Sequence, residues 1–471
     1  MRNKAGKSGV LIIVLAAIIL IALVPWYFIV ARYLGFGSDS ESDSERNENT
    51  AVTQTAPPVV EPPPEPVQTP QPTPEPIFEP EVPLHETITS IRTDYPMLTG
   101  ELNEIASHHD SVAVSLVFFD GGTGKYFTYE HGYADVEEKR VVNVDTKFRV
   151  ASLSKLVTVL CAMVLVDKDL IDLDTDISVY LGYEVKNTNY PGTAITTRML
   201  MQHTSSIFDS GAFQMSRDRN SSESLRYLLE RGSSFRRNNP GTVFEYTNFG
   251  YSVLAAVCEN AAGKTLNTLA REVLFEPLEI DAAYVPSTMH DTRNIAAIYN
   301  DRHVMTRSVQ SQLEIRESET FGHDLHLAQG NLTISIIDYA RILVMLGNGG
   351  VLNDVRILSS EAVREIHNTS VEGASYRQGL GTRFSTGDFI DNLGFYWHTG
   401  SAYGTFAQYI YNHSDNMNRG VVVVTTGAKT DRERNGMVTV CSKLSSVAWE
   451  ELSAIVDFED HYDDDDDEFD G

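Results

Sequence analysis

Alternating hydrophobic and polar positions predict strands near both ends of the folded part of the chain. Val112–Phe119 alternates toward the turn Gly121–Gly124, and Tyr126–His131 would return as its hairpin partner. Two further strands are predicted far downstream, at Thr405–Tyr411 and at Gly420–Thr426, where a run of Val indicates burial on both faces. We expect these strands to join in one antiparallel sheet.

Helical periodicity characterises the segments that flank and separate these strands. The predicted helices are Tyr95–His108, Leu153–Val166, Thr197–Gln202, Phe249–Ala262, Ile334–Leu346 and Arg434–Ile455. The predicted fold class is therefore α+β. Its antiparallel sheet is formed by the N- and C-terminal strands, and a mainly helical region is inserted between them.

A long apolar stretch precedes the folded region. Val10–Ala31 contains no charged residue and, as a helix, would match a hydrocarbon core of about 30 Å. Basic residues precede it and acidic residues follow it, which predicts residues 1–9 in the cytoplasm and the remainder outside. We expect an uncleaved single-pass membrane anchor at 10–31, because the apolar core of a signal peptide is usually shorter.

Two segments have the composition of an unfolded chain. Between residues 32 and 85 the sequence is acidic and then rich in proline, with 12 of the 18 prolines of the chain. Such a composition favours a polyproline II spacer. Residues 456–471 include ten acidic residues and neither Lys nor Arg, so we expect a solvated tail. The folded domain is predicted at 86–455.

The net charge restricts the choice of partners. It is −28 at pH 7, and no basic stripe of the kind that nucleic acids require interrupts the acidic background. Nucleic acid is therefore excluded as a partner at this stage. The sequence leaves the oligomeric state open.

Ser152 and Lys155 form the first candidate for chemistry. They open the apolar helix Leu153–Val166, and their i, i+3 spacing places the amine on the same face as the hydroxyl. Amide hydrogens at a helix start would stabilise negative charge that develops there. The alternative interpretation is a helix-capping Ser followed by a surface Lys.

Two further motifs offer reactive or binding groups. Tyr246 and Asn248 follow a Pro-Gly turn, and a phenol can relay a proton while an amide can hold a substrate. His398, Thr399 and Gly400 precede a predicted strand, where Gly would let another backbone approach closely. Taken singly, each motif also fits a structural role: a packed Tyr with a capping Asn, or a turn with an exposed His.

Together, the motifs Ser-x-x-Lys, Tyr-x-Asn and His-Thr-Gly, in this order, resemble those of the class C β-lactamase and penicillin-binding DD-peptidase superfamily. The resemblance extends over residues 95–452 and implies a β-lactamase-like fold. The His-Thr-Gly form is closer to DD-carboxypeptidases, D-aminopeptidases and related esterases than to class C β-lactamases, which usually have Lys. Ser206 departs from the pattern, because many members have Gly after His-Thr-Ser.

The resemblance implies that the protein is a serine hydrolase that forms an acyl-enzyme. Ser152 would be the nucleophile, and Lys155 and Tyr246 would activate it as a coupled pair. Backbone N–H groups of Ser152 and Ser401 would form the oxyanion hole.

The same resemblance assigns substrate-binding roles. Asn248 would bind the acyl-side amide, and His398, Thr399 and Gly400 would bind or orient a substrate carboxylate. Because the imidazole titrates near pH 6.5, we expect carboxylate binding at His398 to strengthen below about that pH.

The expected function is that of a membrane-tethered extracytoplasmic hydrolase of a small-molecule or peptidoglycan-derived substrate, such as a D-alanyl peptide, or of an ester. A carboxyl esterase or β-lactamase is the alternative within the enzymes, and an inactive cell-wall-binding or sensing module is the alternative outside them. His323, Asp324 and His326 offer metal-ligand chemistry, but the sequence has no His-Glu-x-x-His pattern. We therefore expect neither a metal nor another cofactor.

Overall fold

The computed structural model describes residues 86–218, 225–373, 375–386, 394–414, 417–433 and 436–466. The predicted anchor at 10–31 and the predicted linker at 32–85 lie outside these residues. Within the described ranges, no helix combines the length and the apolar character needed to cross a membrane.

Sixteen strands are described. In chain order they are β1 (Thr87–Ser90), β2 (Ala113–Asp120), β3 (Lys125–Asp135), β4 (Arg140–Val141), β5 (Lys147–Arg149), β6 (Ile298–Tyr299), β7 (Met305–Arg307), β8 (Thr333–Ser335), β9 (Val351–Leu352), β10 (Val355–Arg356), β11 (Val371–Glu372), β12 (Arg377–Gln378), β13 (Arg383–Thr386), β14 (Gly394–Ala402), β15 (Thr405–Ser414) and β16 (Met417–Thr426).

The α-helices lie before, between and after these strands. In chain order they are α1 (Ile91–Asp94), α2 (Pro96–His108), α3 (Ser154–Asp167), α4 (Ser178–Leu181), α5 (Thr197–Met201), α6 (Gly211–Asp218), α7 (Leu225–Glu230), α8 (Asn248–Ala262), α9 (Leu266–Ala270), α10 (Val309–Leu313), α11 (Leu327–Gly330), α12 (Ile336–Gly347), α13 (Ser360–His367) and α14 (Thr439–Asp466). A short 3₁₀ turn, Ala151–Leu153, leads directly into α3.

One ten-stranded sheet joins strands from both ends of the described chain. Its order is β1-β3-β2-β16-β15-β14-β13-β12-β11, with β4 also paired to β3. Antiparallel pairing of β2 with β16 places Val117 opposite Val422 and so connects the two ends. The α+β class and the sheet of N- and C-terminal strands are confirmed. The outermost strand β1 differs from the prediction, because it runs parallel to β3.

The Val run of β16 is buried because other elements cover both faces of the sheet. Successive side chains of a strand point to opposite faces. Val421 and Val423 pack in a cluster with α2 and α14, whereas Val422 and Val424 pack with the inserted helical region. The sheet is therefore a middle layer between two helical layers.

Helices α3 and α8 lie at the centre of the inserted region. Every residue of α3 from Ser154 to Leu165 is buried, as expected for a helix that is apolar on nearly all sides. The only charged residue in that span is Lys155, so the helix carries a single amine into the core. Helix α8 starts after Thr247, whose hydroxyl accepts a hydrogen bond from Gly250 N.

Three elements differ from the sequence-based predictions. Helix α12 starts at Ile336 rather than Ile334, because residues 333–335 form β8 and Ser335 caps the helix. Strand β14 contains the His-Thr-Gly motif, which was predicted only to precede a strand. Helix α14 extends to Asp466, so the first part of the tail predicted as unfolded at 456–471 is helical; Val456 is fully buried and anchors this extension.

Candidate active site

The turn before α3 presents Ser152 in a constrained backbone. Ala151 has φ +50, in the left-handed region that residues other than Gly rarely adopt. The Ser154 hydroxyl donates to Ala151 O at 2.6 Å and accepts from Leu332 N at 3.0 Å. These two hydrogen bonds hold the turn on its buried side. They therefore help to set the position of Ser152.

Gly400 lets strand β14 lie directly against this turn. A Cβ at position 400 would overlap Val150 O and would stand 3.2 Å from Ser152 N. The expected close approach of a second backbone at Gly400 is therefore confirmed. Pairing of β14 with β13 ends at Trp397 opposite Arg383, so the edge of β14 beyond Trp397 faces the Ser152 turn instead of a strand.

The Lys155 amine joins three groups inside the core. Its Nζ lies 3.1 Å from Ser152 Oγ, 2.9 Å from Asn248 Oδ1 and 2.7 Å from Gln329 O. The residue is completely buried. This geometry confirms the expected proximity of the amine and the hydroxyl. Because the side chain is buried, the alternative of a surface Lys is wrong.

Burial also changes the protonation of this amine. Desolvation lowers the pKa of Lys155 below its ordinary value of 10.5, while Tyr246 and Asp209 act in the opposite direction. A neutral amine has a lone pair that can accept a proton from Ser152. The site therefore shifts the protonation equilibrium of Lys155 toward the neutral amine, which is the form that a general base requires.

The Tyr246 ring is surrounded by nitrogen-bearing side chains. Its centroid is 4.5 Å from that of His203 and 6.2 Å from that of His398. The Lys155 Nζ lies 5.0 Å and the Arg383 guanidinium lies 5.7 Å from the centroid of the same ring. Positive charge near the phenol stabilises negative charge that develops on it during proton transfer.

Asp209 organises the start of α8. Its carboxylate accepts hydrogen bonds from the Thr247 hydroxyl at 2.9 Å, from Asn248 N and Nδ2 at 2.7 and 2.8 Å, and from Phe249 N at 2.8 Å. A carboxylate is well suited to the unpaired N–H groups of a helix N-terminus. Because the Asn248 amide nitrogen is held by Asp209, its oxygen points to Lys155.

The structure places His398 differently from the prediction. Its ring is buried at 2% exposure, and Nδ1 lies 2.8 Å from the carbonyl oxygen of Thr399. Burial, together with the charges of Arg383 and Lys155, lowers the pKa of His398 well below 6.5. The ring therefore does not titrate near pH 6.5, as the expected carboxylate binding assumed. Its burial beside Tyr246 also contradicts the structural alternative of a turn with an exposed His.

A cavity of about 980 Å³ opens next to Ser152. Of the predicted site residues, it is lined by Ser152, Tyr246, Asn248, Thr399 and Ser401. Lys155, His398 and Gly400 lie behind this lining. His323, Asp324 and His326 are also part of the wall, although within the described ranges no three potential ligand side chains come together as a metal site.

Arg383, Asp209 and His203 were missed by the sequence analysis. Arg383 lines the cavity, contacts the rings of Tyr246, Tyr376 and Trp397, and has a buried Nε without a hydrogen-bond partner among the described residues. No local motif marks it, because β13 brings it to the site only through the sheet. His203 packs on Tyr246, and no local motif predicts this contact.

The buried Lys155 amine lies beside Ser152 and 5.0 Å from the centroid of the Tyr246 ring, which is the arrangement that the resemblance to β-lactamase-like serine hydrolases implies. The family model described as Beta-lactamase matches residues 102–440. That span is more than half of the chain, and the chain therefore belongs to the Beta-lactamase family.

Individual relatives agree with this assignment. Penicillin-binding protein 4* of Bacillus subtilis (strain 168) is 29% identical over 182 residues, which are 37% of this chain and 36% of that protein. The chain thus matches little more than a third of that relative's length.

Two solved structures share the fold at low sequence identity. A penicillin-binding protein homologue from Pyrococcus abyssi aligns with a TM-score of 0.60 and 18% identity, covering 77% of this chain and 78% of its own. The D-amino acid amidase from Ochrobactrum anthropi SV3 aligns with a TM-score of 0.59 and 19% identity, covering 77% and 98%. These likenesses concern the fold alone.

Proposed function

We propose that the protein is a membrane-tethered extracytoplasmic serine hydrolase that acts through an acyl-enzyme on a peptide or amide resembling a D-alanyl peptide, or on an ester. The observation that carries the proposal is the Lys155 amine, fully buried and 3.1 Å from Ser152 Oγ at the edge of a substrate-sized cavity. The tether rests on the apolar stretch 10–31 and the charges on either side of it.

Acylation begins with proton transfer from Ser152. As Oγ bonds to the substrate carbonyl carbon, its proton passes to the neutral Lys155 amine. The oxygen of that carbonyl becomes negative and would be stabilised by the backbone N–H groups of Ser152 and Ser401. The close contact of Gly400 with the Ser152 turn supports this assignment.

Collapse of the tetrahedral intermediate releases the first product. The proton moves from Lys155 by way of Tyr246 to the leaving nitrogen or oxygen as its bond to the carbonyl carbon breaks. A water molecule then attacks the ester of Ser152, and the same two groups return its proton to Oγ. No further proton donor is needed to balance either step.

The carboxylate of a D-alanyl leaving group would be held by Arg383 and the Thr399 hydroxyl. Both line the cavity, and the Arg383 guanidinium lies 5.7 Å from the centroid of the Tyr246 ring. This assignment replaces His398 as the cation of the carboxylate site, because a guanidinium stays charged at every physiological pH. His398 instead supports the Tyr246 ring.

A substrate panel tests the proposal. Purified wild-type protein and Ser152→Ala are given D-alanyl-D-alanine peptides, D-amino acid amides, short esters and a cephalosporin, and benzylpenicillin is added separately to measure the stability of its adduct. We expect peptide or ester hydrolysis and a long-lived penicilloyl adduct in the wild type, and neither in Ser152→Ala. Rapid penicillin turnover would identify a β-lactamase, and absence of both turnover and adduct would favour a wall-binding module.

A further inference from the structure

The cavity has the opposite charge balance to the chain as a whole. The chain has 65 acidic residues and 37 Lys or Arg, yet the charged residues that line the cavity are four arginines and two acids: Arg149, Arg307, Arg316, Arg383, Glu314 and Asp324. A water-filled concave site concentrates the field of its charges. This local excess of positive charge therefore favours an anionic ligand.

Two of these arginines meet at one aromatic ring. The guanidinium of Arg307 lies 3.8 Å from the centroid of Tyr403, and that of Arg149 lies 4.8 Å from the same centroid. Tyr403 itself has φ +59, and its carbonyl oxygen accepts a hydrogen bond from Thr306. No ion pair links Arg307 to a carboxylate in the described part of the chain; its Nη1 donates to Thr306 O at 2.7 Å.

The Tyr403 group and Arg383 lie at opposite ends of one strand edge. Arg383 is opposite Trp397 in the sheet register, and Tyr403 follows the last residue of β14. Gly400, which contacts the Ser152 turn, lies between them. At ~3.3 Å per residue, each end is roughly 10 Å along the strand from the point of attack. A substrate that lies along this edge would meet one cationic group on each side of its scissile bond.

We propose that Arg307 and Arg149, stacked on Tyr403, form a second anion subsite that binds a carboxylate on the acyl side of the substrate. The inference rests on the proposed function, in which Arg383 and Thr399 hold the carboxylate of the leaving group. It narrows the substrate class to acyl donors that carry an anionic group on both sides of the scissile bond. The planar guanidinium forms paired hydrogen bonds with a carboxylate, which gives the subsite its chemistry.

Equilibrium binding to the full chain carrying Ser152→Ala tests this subsite without requiring turnover. The two ligands are N-succinyl- and N-acetyl-D-alanyl-D-alanine, because they share the leaving group and only the succinyl compound has an acyl-side carboxylate. We expect the succinyl compound to bind about tenfold more tightly at low salt, with a smaller difference in 0.5 M NaCl. Arg307→Gln in the same background should reduce the ratio of the two dissociation constants to about two or less.

The control is Arg293→Gln in the same background, since Arg293 is 92% exposed and is not among the cavity-lining residues. It should keep the tenfold ratio. Equal affinities in the parent protein, a ratio that survives Arg307→Gln, or binding of neither ligand would overturn the subsite. Labelling of wild-type Ser152 by a fluorophosphonate is measured in parallel. Labelling without a succinyl preference refutes the subsite alone, whereas a preference without labelling supports the subsite and refutes the proposed catalysis.

Discussion

The two sides of the cavity use buried ionisable groups in different ways. On one side, the bases Lys155, His203 and His398 are shielded from water, and burial lowers the pKa of each. On the other side, the wall is the segment between α10 and α11, and hydrogen bonds to carboxylates hold its conformation. Burial raises the pKa of Asp324 to about 6 and that of Glu259, which accepts from Gly322 N in this wall, to about 7.

In the proposed function, the first side performs the chemistry and the second selects the substrate. Burial shifts Lys155, which helix α3 holds beside Ser152, toward the neutral form that can accept a proton. The wall is a segment without regular secondary structure, and its conformation depends on hydrogen bonds from backbone N–H groups to carboxylates, such as that from Ser318 N to Asp324 at 2.7 Å. We therefore expect substitutions on the first side to change the rate, and those on the second to change binding.

The largest effect is expected from removing the buried base. Lys155→Met preserves the length and apolar stem of the side chain but leaves Ser152 without a proton acceptor. The rate of acylation should fall by about three orders of magnitude. Lys168→Met is the matched control at the exposed end of α3 and should stay within twofold of wild type. A loss of less than tenfold in Lys155→Met would show that the amine is not the base.

The next largest effect is expected from substitution of Asp209, as a positioning residue. Asp209→Ala removes the acceptor of four hydrogen bonds at the start of α8 and frees Asn248 to rotate away from Lys155. We expect kcat to fall by about 30-fold and the free energy of unfolding to fall by about 2 kcal/mol. A purely structural role would lower stability alone, so the pH profile of kcat is measured too and should shift with the loss of the nearby negative charge.

Asp172 provides the control for that experiment. Its carboxylate also accepts from two backbone N–H groups, those of Asp174 and Thr175, but in an exposed turn. Asp172→Ala should therefore leave kcat unchanged and cost no more than about 1 kcal/mol. Equal effects of the two substitutions on kcat would show that Asp209 is not a positioning residue.

A smaller change is expected from Gly400→Ala, which moves β14 away from the Ser152 turn. The added Cβ would overlap Val150 O, and relief by backbone displacement should cost about 1–3 kcal/mol of stability and roughly tenfold in the acylation rate. Gly100→Ala is the contrast, because that position in α2 has nothing within 4 Å and Ala favours a helix. It should stabilise the protein slightly, as judged by urea denaturation.

The smallest effect is expected from pH on carboxylate binding. Because the pKa of His398 is lowered well below 6.5 by burial, the dissociation constant of N-acetyl-D-alanyl-D-alanine for Ser152→Ala should change less than twofold between pH 5 and 8. A tenfold decrease of this dissociation constant below pH 6.5 would indicate that His398 is the carboxylate ligand and would contradict the assignment to Arg383.

The same pKa shifts predict how stability depends on pH. The unfolded chain binds protons at His203 and His398 below pH 6.5, whereas the native state does not, so their contribution to stability is lost as pH falls below 6.5. Glu259 acts in the opposite sense: its native pKa of about 7 makes folding less favourable as pH rises from 4.5 to 7.

The sequence predicted the parts of the site that lie in one local pattern. Ser152 and Lys155 share a helix turn, so their spacing alone predicts that the hydroxyl and the amine are neighbours. These features depend on neighbours a few residues away.

The remaining features depend on pairing between distant segments. Strand β14 was missed because the adjacent polar residues His398 and Thr399 break the apolar–polar alternation and Gly400 disfavours a strand, yet the partner β15 holds them in a ladder. The neutral state of His398 follows from burial by the sheet and by Tyr246, which no local motif contains. Arg383 and the Arg307–Tyr403 contact arise only when separate strands and loops converge on one cavity.

The central claim is that a buried, neutral Lys155 removes the proton of Ser152. The most direct test is the rate constant for phosphonylation of Ser152 by a fluorophosphonate, in which Oγ bonds to phosphorus and fluoride leaves, measured from pH 5 to 10 in wild type and in Lys155→Met. We predict that the wild-type rate rises and reaches a plateau well below pH 10.5, the ordinary pKa of Lys, and that the variant is slow and shows no such plateau. Identical profiles in the two proteins would contradict the claim.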